Sequence, residues 1–421
     1  MPSRPLTLAA LCVALGIVGV MAGTGVQAEQ GDVAESIAPV FISSYPIPAY
    51  TYPLSFHPNG RPTTEIKMTR ARTDGGPYKS LIYTPTEMRF LDESGKPKET
   101  YKKPGITRYS ENREFILHMM PTKRDPSGTV LAGDFSLIDG NLRILWTTNK
   151  LPTVEPRTIT VSNLGAVVAS DLSGSTIWVN GKQITSTLPQ MQAQWSRDGK
   201  YFLSIGGYGK RNPARSFLVV RLYDDSGKML WERDMGSRVH LMANAISSHG
   251  NFIGLKYMIK QYRGIEDGFS VKEMVLEVID RKGVTVDKLQ LDHGGSLLEF
   301  SPNEKFLVAQ LSDRLNSLRI GDGKFGWHHD LNGRHPFTLD IRDDGGRLLL
   351  GTRNLTKPRF KGDAPRDDAA PRDWTIEVLD SKGKTLRHWT MSGELLGAQF
   401  MEPGGRVLIQ MSDRVEVFEE P

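Results

Sequence analysis

The chain has 421 residues, a single cysteine, 38% hydrophobic residues and a formal net charge of +5. One cysteine excludes a disulfide framework and thiolate metal centres. So mild a charge argues against nucleic acid as a partner, since a nucleic-acid binder concentrates basic residues on one surface.

Residues 1–28 join a short start carrying Arg4 to an apolar run and end on Val26-Gln27-Ala28, the small-residue pattern before a signal-peptidase cut. The run is shorter than the roughly 20 residues that a membrane-spanning helix needs. The expectation is a cleaved signal peptide, a mature chain without cysteine and without a transmembrane segment, and an exported, periplasmic or secreted protein. Residues 29–50 read as a leader or an arm, and 51–421 as one domain.

From there the chain alternates apolar and polar residues with a period of two, and no stretch sustains helical spacing. The segment 86–102, "TEMRFLDESGKPKETYK", reads as two strands about a Ser-Gly turn. "GITRYSENREFILHMM" with "FSLIDGNLRILWTT", and "RTITVSNLGAVVAS" with "STIWVNGKQITSTL", each give two hairpins. The clearest unit follows: "WSRDGKYFLSIGG" (195–207), then "FLVVRLYDDSGKMLWERDMG" (217–236). The same grammar recurs in "MANAISSHGNFIGLKY" with "MVLEVIDRKGVTVDKLQL", in "LLEFSPNEKFLVAQLSD" with "SLRIGDGKFGWHHDL", and in "FTLDIRDDGGRLLLGT" with "WTIEVLDSKGKTLRHWTM". The chain closes on "LGAQFMEPGGRVLIQMSDRVEVFEE", three strands without a fourth. Gly, Asn and Asp supply the positive φ that tight reversals demand.

Each unit therefore holds four strands, a to d, joined by a tight a–b turn, a variable b–c loop and a tight c–d turn. Four-stranded units of about 40–50 residues predict an all-β β-propeller; the alternative is a two-sheet sandwich. "SRDGKYFLS" and "SPNEKFLVA" resemble WD-repeat hairpins. "LYDDSGKMLWER", "VLDSKGKTLRHW" and "FLDESGKPKETY" look like the Asp-x-x-Gly-Lys-x-x-x-Trp element of pyrroloquinoline-quinone-type repeats. The resemblance implies the propeller fold alone, because these families include enzymes, scaffolds and receptors. The adjacent cysteines of the quinone-using dehydrogenases are missing, so no quinone cofactor is implied.

The count favours seven blades, with 86–102 supplying what the C-terminal unit lacks. The rival count of eight starts a blade at "YPLSFHPNGRPTTEIKMTRAR" (52–72). Either closure hides strand edges that would otherwise template aggregation.

The four longest insertions, 121–132, 207–216, 258–272 and 353–372, are all b–c loops and must emerge on one face with the d–a connections. Together they hold more positive charge than the whole chain's +5, which predicts a basic face able to steer an anionic partner. Its candidate binding residues are Lys210, Arg211, Arg215, Arg238, Arg334, Arg359 and Lys361. Three successive d–a connections carry His240, His293 and His335, a candidate divalent-metal site at the channel mouth; otherwise no cofactor is expected. His328-His329 reads as a c–d turn on the opposite face. Trp146, Trp231 and Trp389 in d strands read as inter-blade packing. No Gly-x-Ser-x-Gly elbow, His-Glu-x-x-His helix or phosphate-cradling helix start is present. The leading expectation is an exported, non-catalytic scaffold that binds a protein or other anionic envelope or extracellular partner. The alternative is a propeller enzyme acting on a small anionic or carbohydrate-like substrate at the channel mouth.

Overall fold

"FLVVRL", "MVLEVI" and "RLLLG" set apolar side chains at consecutive positions, so such strands need cover on both faces. "TVDKLQL" and "TLRHWTM" alternate instead, as half-exposed strands do. A blade satisfies both patterns when the first kind sits inside it and the second at its rim. In the computed structural model, which describes residues 40–46, 51–56, 61–72, 81–92, 94–102, 106–112, 114–124, 130–141, 143–149, 159–170, 175–179, 181–186, 192–208, 217–264, 268–354, 373–401 and 405–420, every regular element is a strand.

The first strand is β1 (Phe41–Pro46). Blade I is β2 (Thr51–Phe56), β3 (Pro62–Arg72), β4 (Leu81–Leu91) and β5 (Pro97–Lys102). Blade II is β6 (Ile106–Tyr109), β7 (Phe115–Arg124), β8 (Val130–Asp139) and β9 (Ile144–Thr148), and blade III is β10 (Ile159–Val161), β11 (Val167–Ser170), β12 (Ser175–Val179) and β13 (Lys182–Ser186). Blade IV comprises β14 (Gln192–Trp195), β15 (Tyr201–Tyr208), β16 (Phe217–Asp224) and β17 (Met229–Gly236). Blade V comprises β18 (Val239–Ile246), β19 (Phe252–Gly264), β20 (Gly268–Asp280) and β21 (Thr285–Leu291). Blade VI runs through β22 (Leu298–Phe300), β23 (Phe306–Leu311), β24 (Arg314–Arg319) and β25 (Phe325–Asp330). Blade VII runs through β26 (Arg334–Ile341), β27 (Arg347–Asn354), β28 (Asp373–Asp380) and β29 (Thr385–Ser392). Blade VIII takes β30 (Leu395–Met401), β31 (Arg406–Met411) and β32 (Arg414–Glu419) from the C-terminus and β1 from the N-terminus.

The propeller thus has eight blades, not the favoured seven. The rival start at "YPLSF" is right, because 52–72 spans strands a and b of blade I. The segment 86–102 is strands c and d of that same blade and does not close the ring. Closure falls to β1, which pairs antiparallel with β32 from Phe41↔Phe418 to Pro46↔Arg414. The ring therefore begins within 29–50, ahead of residue 51.

Five c–d turns share one device. The aspartate ending strand c accepts hydrogen bonds from the backbone N–H groups two and four residues on: Asp92, Asp139, Asp224, Asp280 and Asp380 all do so at 2.8–3.0 Å. Those bonds hold the Asp139 carboxyl below its ordinary range, the Arg143 N–H contributing most. The a–b turns use a buried serine instead: Ser110, Ser196, Ser247 and Ser301 each accept from the N–H five residues on, at 2.9–3.1 Å.

The core is divided among the seams between blades. Ile66, Met88, Tyr109 and Ile116 fill seam I–II; Leu203, Leu222, Leu255 and Val275 fill IV–V; Trp374, Trp389, Phe400 and Phe418 fill VII–VIII. At the rim, d-strand tryptophans lie over the turn glycine of the next blade. A Cβ at Gly181 would meet Trp146 at 3.3 Å, one at Gly283 would meet Trp231 at 3.2 Å, and one at Gly383 would meet Trp327 at 2.5 Å. Trp389 packs differently, deeper in its seam, 5.4 Å from the Phe418 ring. Among the described residues no helix is long and apolar enough to cross a membrane.

Candidate functional site

Four-stranded antiparallel blades send their a–b and c–d turns to one face of the ring and their b–c and d–a connections to the other. On the turn face, hydrogen bonds link the a–b turns of blades II to VII in succession. The Asn163 side chain accepts from the Asn112 N–H at 2.8 Å and donates to the Arg197 carbonyl. Asp198 N–H donates to the Ser248 carbonyl at 2.9 Å. Glu304 accepts from His249 N–H at 2.7 Å, and Asn303 donates to the Asp344 carbonyl at 2.6 Å.

Arg197, in the a–b turn of blade IV, reaches further. Its guanidinium stands 2.5 Å from Asp343 of blade VII and 3.6 Å from Glu111 of blade II. Blades IV and VII are not neighbours, so this pair spans the channel mouth. Burial works against the guanidinium charge, but Glu111 and Asp343 outweigh it and hold the group above its ordinary value.

The loop face is built differently. Among the described residues, the b and c strands of blades I, II and V pair several positions beyond their flanking strands. In blade I pairing runs past Lys67↔Glu87, the last position flanked by β2, to Arg72↔Leu81. In blade II it runs past Met119, paired with Ile106, to Arg124↔Val130. In blade V it passes Ile259, paired with Val239, and reaches Gly264↔Gly268. Lys260 N–H donates to the Arg238 carbonyl at 2.9 Å, which ties the base of this ribbon to the d–a connection beside it. The insertion expected as loop over 258–272 is therefore largely a two-stranded ribbon, with Val271 exposed.

The candidate binding residues divide accordingly. Lys210, Arg211, Arg215, Arg359 and Lys361 lie outside the described residues. Arg238 is exposed on the loop face. Arg334 is not: its guanidinium is 14% exposed, donates to the Leu331 carbonyl at 2.8 Å and pairs with Glu377 at 2.8 Å. Its charge is held inside seam VI–VII. His329 joins it, with Nε2 3.6 Å from Glu377 and Nδ1 3.2 Å from the Gly383 carbonyl. Burial pushes the Glu377 carboxyl up, but the nearby His329 imidazole and the Arg334 charge outweigh it and leave the group below its ordinary value. This corrects the reading of His328-His329 as a surface turn: both lie in β25, and only His328 is exposed.

His240, His293 and His335 do lie at three successive d–a connections, at the start of β18, between β21 and β22, and at the start of β26. They do not converge. Among the described residues no group of three or more His, Cys, Asp or Glu side chains is placed to hold a metal. The His335 Nδ1 lies 3.1 Å from the neighbouring Pro336 carbonyl.

Sequence reasoning missed Phe337. A bulge between Pro336 and Thr338 makes it the unpaired residue of β26, and bulges re-aim side chains. Phe337 is 41% exposed and meets Trp374 edge-on at 5.0 Å, while Arg353 lies 5.8 Å over that tryptophan. The one available signal was a proline directly before an aromatic at the start of a strand.

No protein-family model matches the chain, and no curated protein does. Solved structures do. A crystal structure described as the eukaryotic initiation factor is 9% identical with a TM-score of 0.52, covering 84% of this chain and 86% of that one. BamB from Moraxella catarrhalis is 14% identical with a TM-score of 0.48, covering 91% and 98%. The C-terminal WD40 domain of Sif2 is 10% identical with a TM-score of 0.47, covering 85% and 90%. At such identities the likeness reaches the propeller fold and no further.

Proposed function

We propose that the chain is an exported, non-catalytic propeller scaffold whose loop face binds a protein with an acidic surface. The observation that carries this reading is the projection of three two-stranded ribbons from that one face. A two-stranded ribbon standing alone is marginal in water, and its outer backbone groups are open to pairing with another chain. Placing three of them on the rim of a rigid ring holds contacts at fixed separations with no ordering cost in the scaffold. The positive b–c insertions support an acidic partner, and the leader pattern of residues 1–28 supports an envelope or extracellular setting. On the opposite face the channel mouth is spanned by Arg197, which favours approach from the loop face.

The test is capture from a native envelope extract by immobilised protein at low and high salt. A variant in which Lys260–Val271 is replaced by a two-residue turn runs alongside. The reading expects an acidic partner that is retained at low salt, released at about 1 M salt where screening reaches ~3 Å, and lost in the trimmed variant. Capture that ignores both salt and trimming, or no capture at all, overturns it.

A further inference from the structure

Blade V turns a row of soft side chains toward blade VI. Directly paired residues on neighbouring strands share a face of the sheet, and the register aligns His240 of β18 with Met258 of β19, and Met258 with Met274 of β20. That face is the one covered by blade VI, because Met274 packs on a cluster that joins Leu276 of β20 to Leu298 of β22. The alternate positions Leu241, Tyr257 and Ile259 pack toward blade IV instead. Met242, the extra residue of a bulge between Leu241 and Ala243, reaches the same place. An ideal Cβ on Gly294 would lie 3.5 Å from the Met242 sulfur and 3.5 Å from the Met274 sulfur, so the two thioethers stand no more than twice that distance apart. The Met242 Cε would lie 2.3 Å from that Cβ, so any side chain at Gly294 would require the end of Met242 to move aside. His240, Met242, Met258 and Met274 are all half-buried, and His293, next to Gly294, is exposed.

Three thioethers and one imidazole are a neutral, soft donor set. Thioethers have no proton to lose and select Cu(I) over harder or borderline divalent ions, and neutral imidazole also suits copper. We propose that His240, Met242, Met258 and Met274 form a Cu(I) site at the seam of blades V and VI, with His293 at its entrance. A monovalent ion suits the place, because among the described residues no group of three or more His, Cys, Asp or Glu side chains is placed to offset a second positive charge. Lys256, on the same face of β19, is held by the blade VI side of the seam, with its Nζ 2.7 Å from the Gln310 carbonyl.

The alternative is that these methionines only fill a seam, as flexible thioethers do. Anaerobic titration of the full chain with Cu(I), against a chromogenic Cu(I) chelator such as bathocuproine disulfonate, separates the two. One equivalent of Cu(I) should be withdrawn from the chelator. The double substitution Met258→Leu and Met274→Leu, which conserves volume, should leave the thermal midpoint of the metal-free protein near that of the wild type and weaken Cu(I) binding by about tenfold or more. X-ray absorption of the loaded protein should show sulfur neighbours. The proposal fails if no Cu(I) is withdrawn, if the double variant binds as well as the wild type, if the metal shell holds only nitrogen and oxygen, or if Zn(II) competes on equal terms.

Discussion

Arg197 Nη1 and Asp343 Oδ1 meet at 2.5 Å across the mouth of the channel, joining blade IV to blade VII. Both side chains keep about half their exposure, 43% and 56%. Solvent-exposed pairs are worth about 0.2–1 kcal/mol, so this contact closes the mouth more than it holds the ring. A double-mutant cycle with Arg197→Ala and Asp343→Ala, read by urea denaturation, should give a coupling within that range that shrinks at high salt. A coupling several times larger would mean that the ring depends on this cross-channel contact.

Lys256 is fully buried and has two backbone carbonyls, of Gln310 and Leu297, as partners. Burial lowers its ammonium from 10.5 to about 7. Between those values the unfolded chain binds a proton that the folded chain does not, so stability rises with pH across the window and is lost again as pH falls through the folded value. Denaturation midpoints should therefore climb between pH 7 and pH 10. Lys256→Met should flatten that climb and raise the midpoint at pH 6, because it removes the cost of burying a charge that only backbone carbonyls offset.

Gly95 and Gly383 separate backbone strain from packing. Both sit at φ +80°, but a Cβ on Gly95 meets nothing within 4 Å, whereas one on Gly383 meets the Trp327 ring at 2.5 Å. Gly95→Ala should cost about 1–2 kcal/mol, the price of a left-handed L-residue. Gly383→Ala should cost about 1–3 kcal/mol more, since the indole must shift, and its tryptophan fluorescence should change while that of Gly95→Ala does not. Equal costs would show that the rim tryptophans are not held by the neighbouring turn.

Removal of residues through Pro46 takes away β1 and leaves the edge of β32 open. Phe41 lies edge-on to Phe418 at 5.7 Å, so part of that ring's cover goes too. The truncated chain should elute as aggregates in size-exclusion chromatography and melt well below the full chain. A monomeric truncation of unchanged midpoint would show that the clasp is dispensable.

The turns were legible because their chemistry is short-range. Asp-x-x-Gly and Ser-x-Asp/Asn patterns act on backbone groups two to five residues away, so one stretch of sequence contains both the donor and the acceptor. The exceptions are instructive. "GDGKFG" lacks the capping aspartate, and its Gly321 and Gly323 N–H groups donate to Asp287 of the preceding blade at 2.6 and 2.9 Å. In "SPNEK", Glu304 takes the place of a glycine at φ +56°, and its carboxylate binds the His249 N–H of blade V.

The sequence by itself determined the propeller, its four-stranded unit and the common side on which the b–c insertions emerge, because period-two alternation and connection order are properties of the chain alone. Only the tertiary structure decided the number of blades, since "FISSYP" becomes a strand through its pairing with β32, almost four hundred residues away along the chain. The same holds for charge. Arg334 read as a free basic residue until Glu377 was placed beside it from another strand, and Arg197 read as a turn residue until Asp343 came into reach across the axis. Electrostatic partners are set by distance in space, and a periodic pattern along the sequence carries no record of that distance.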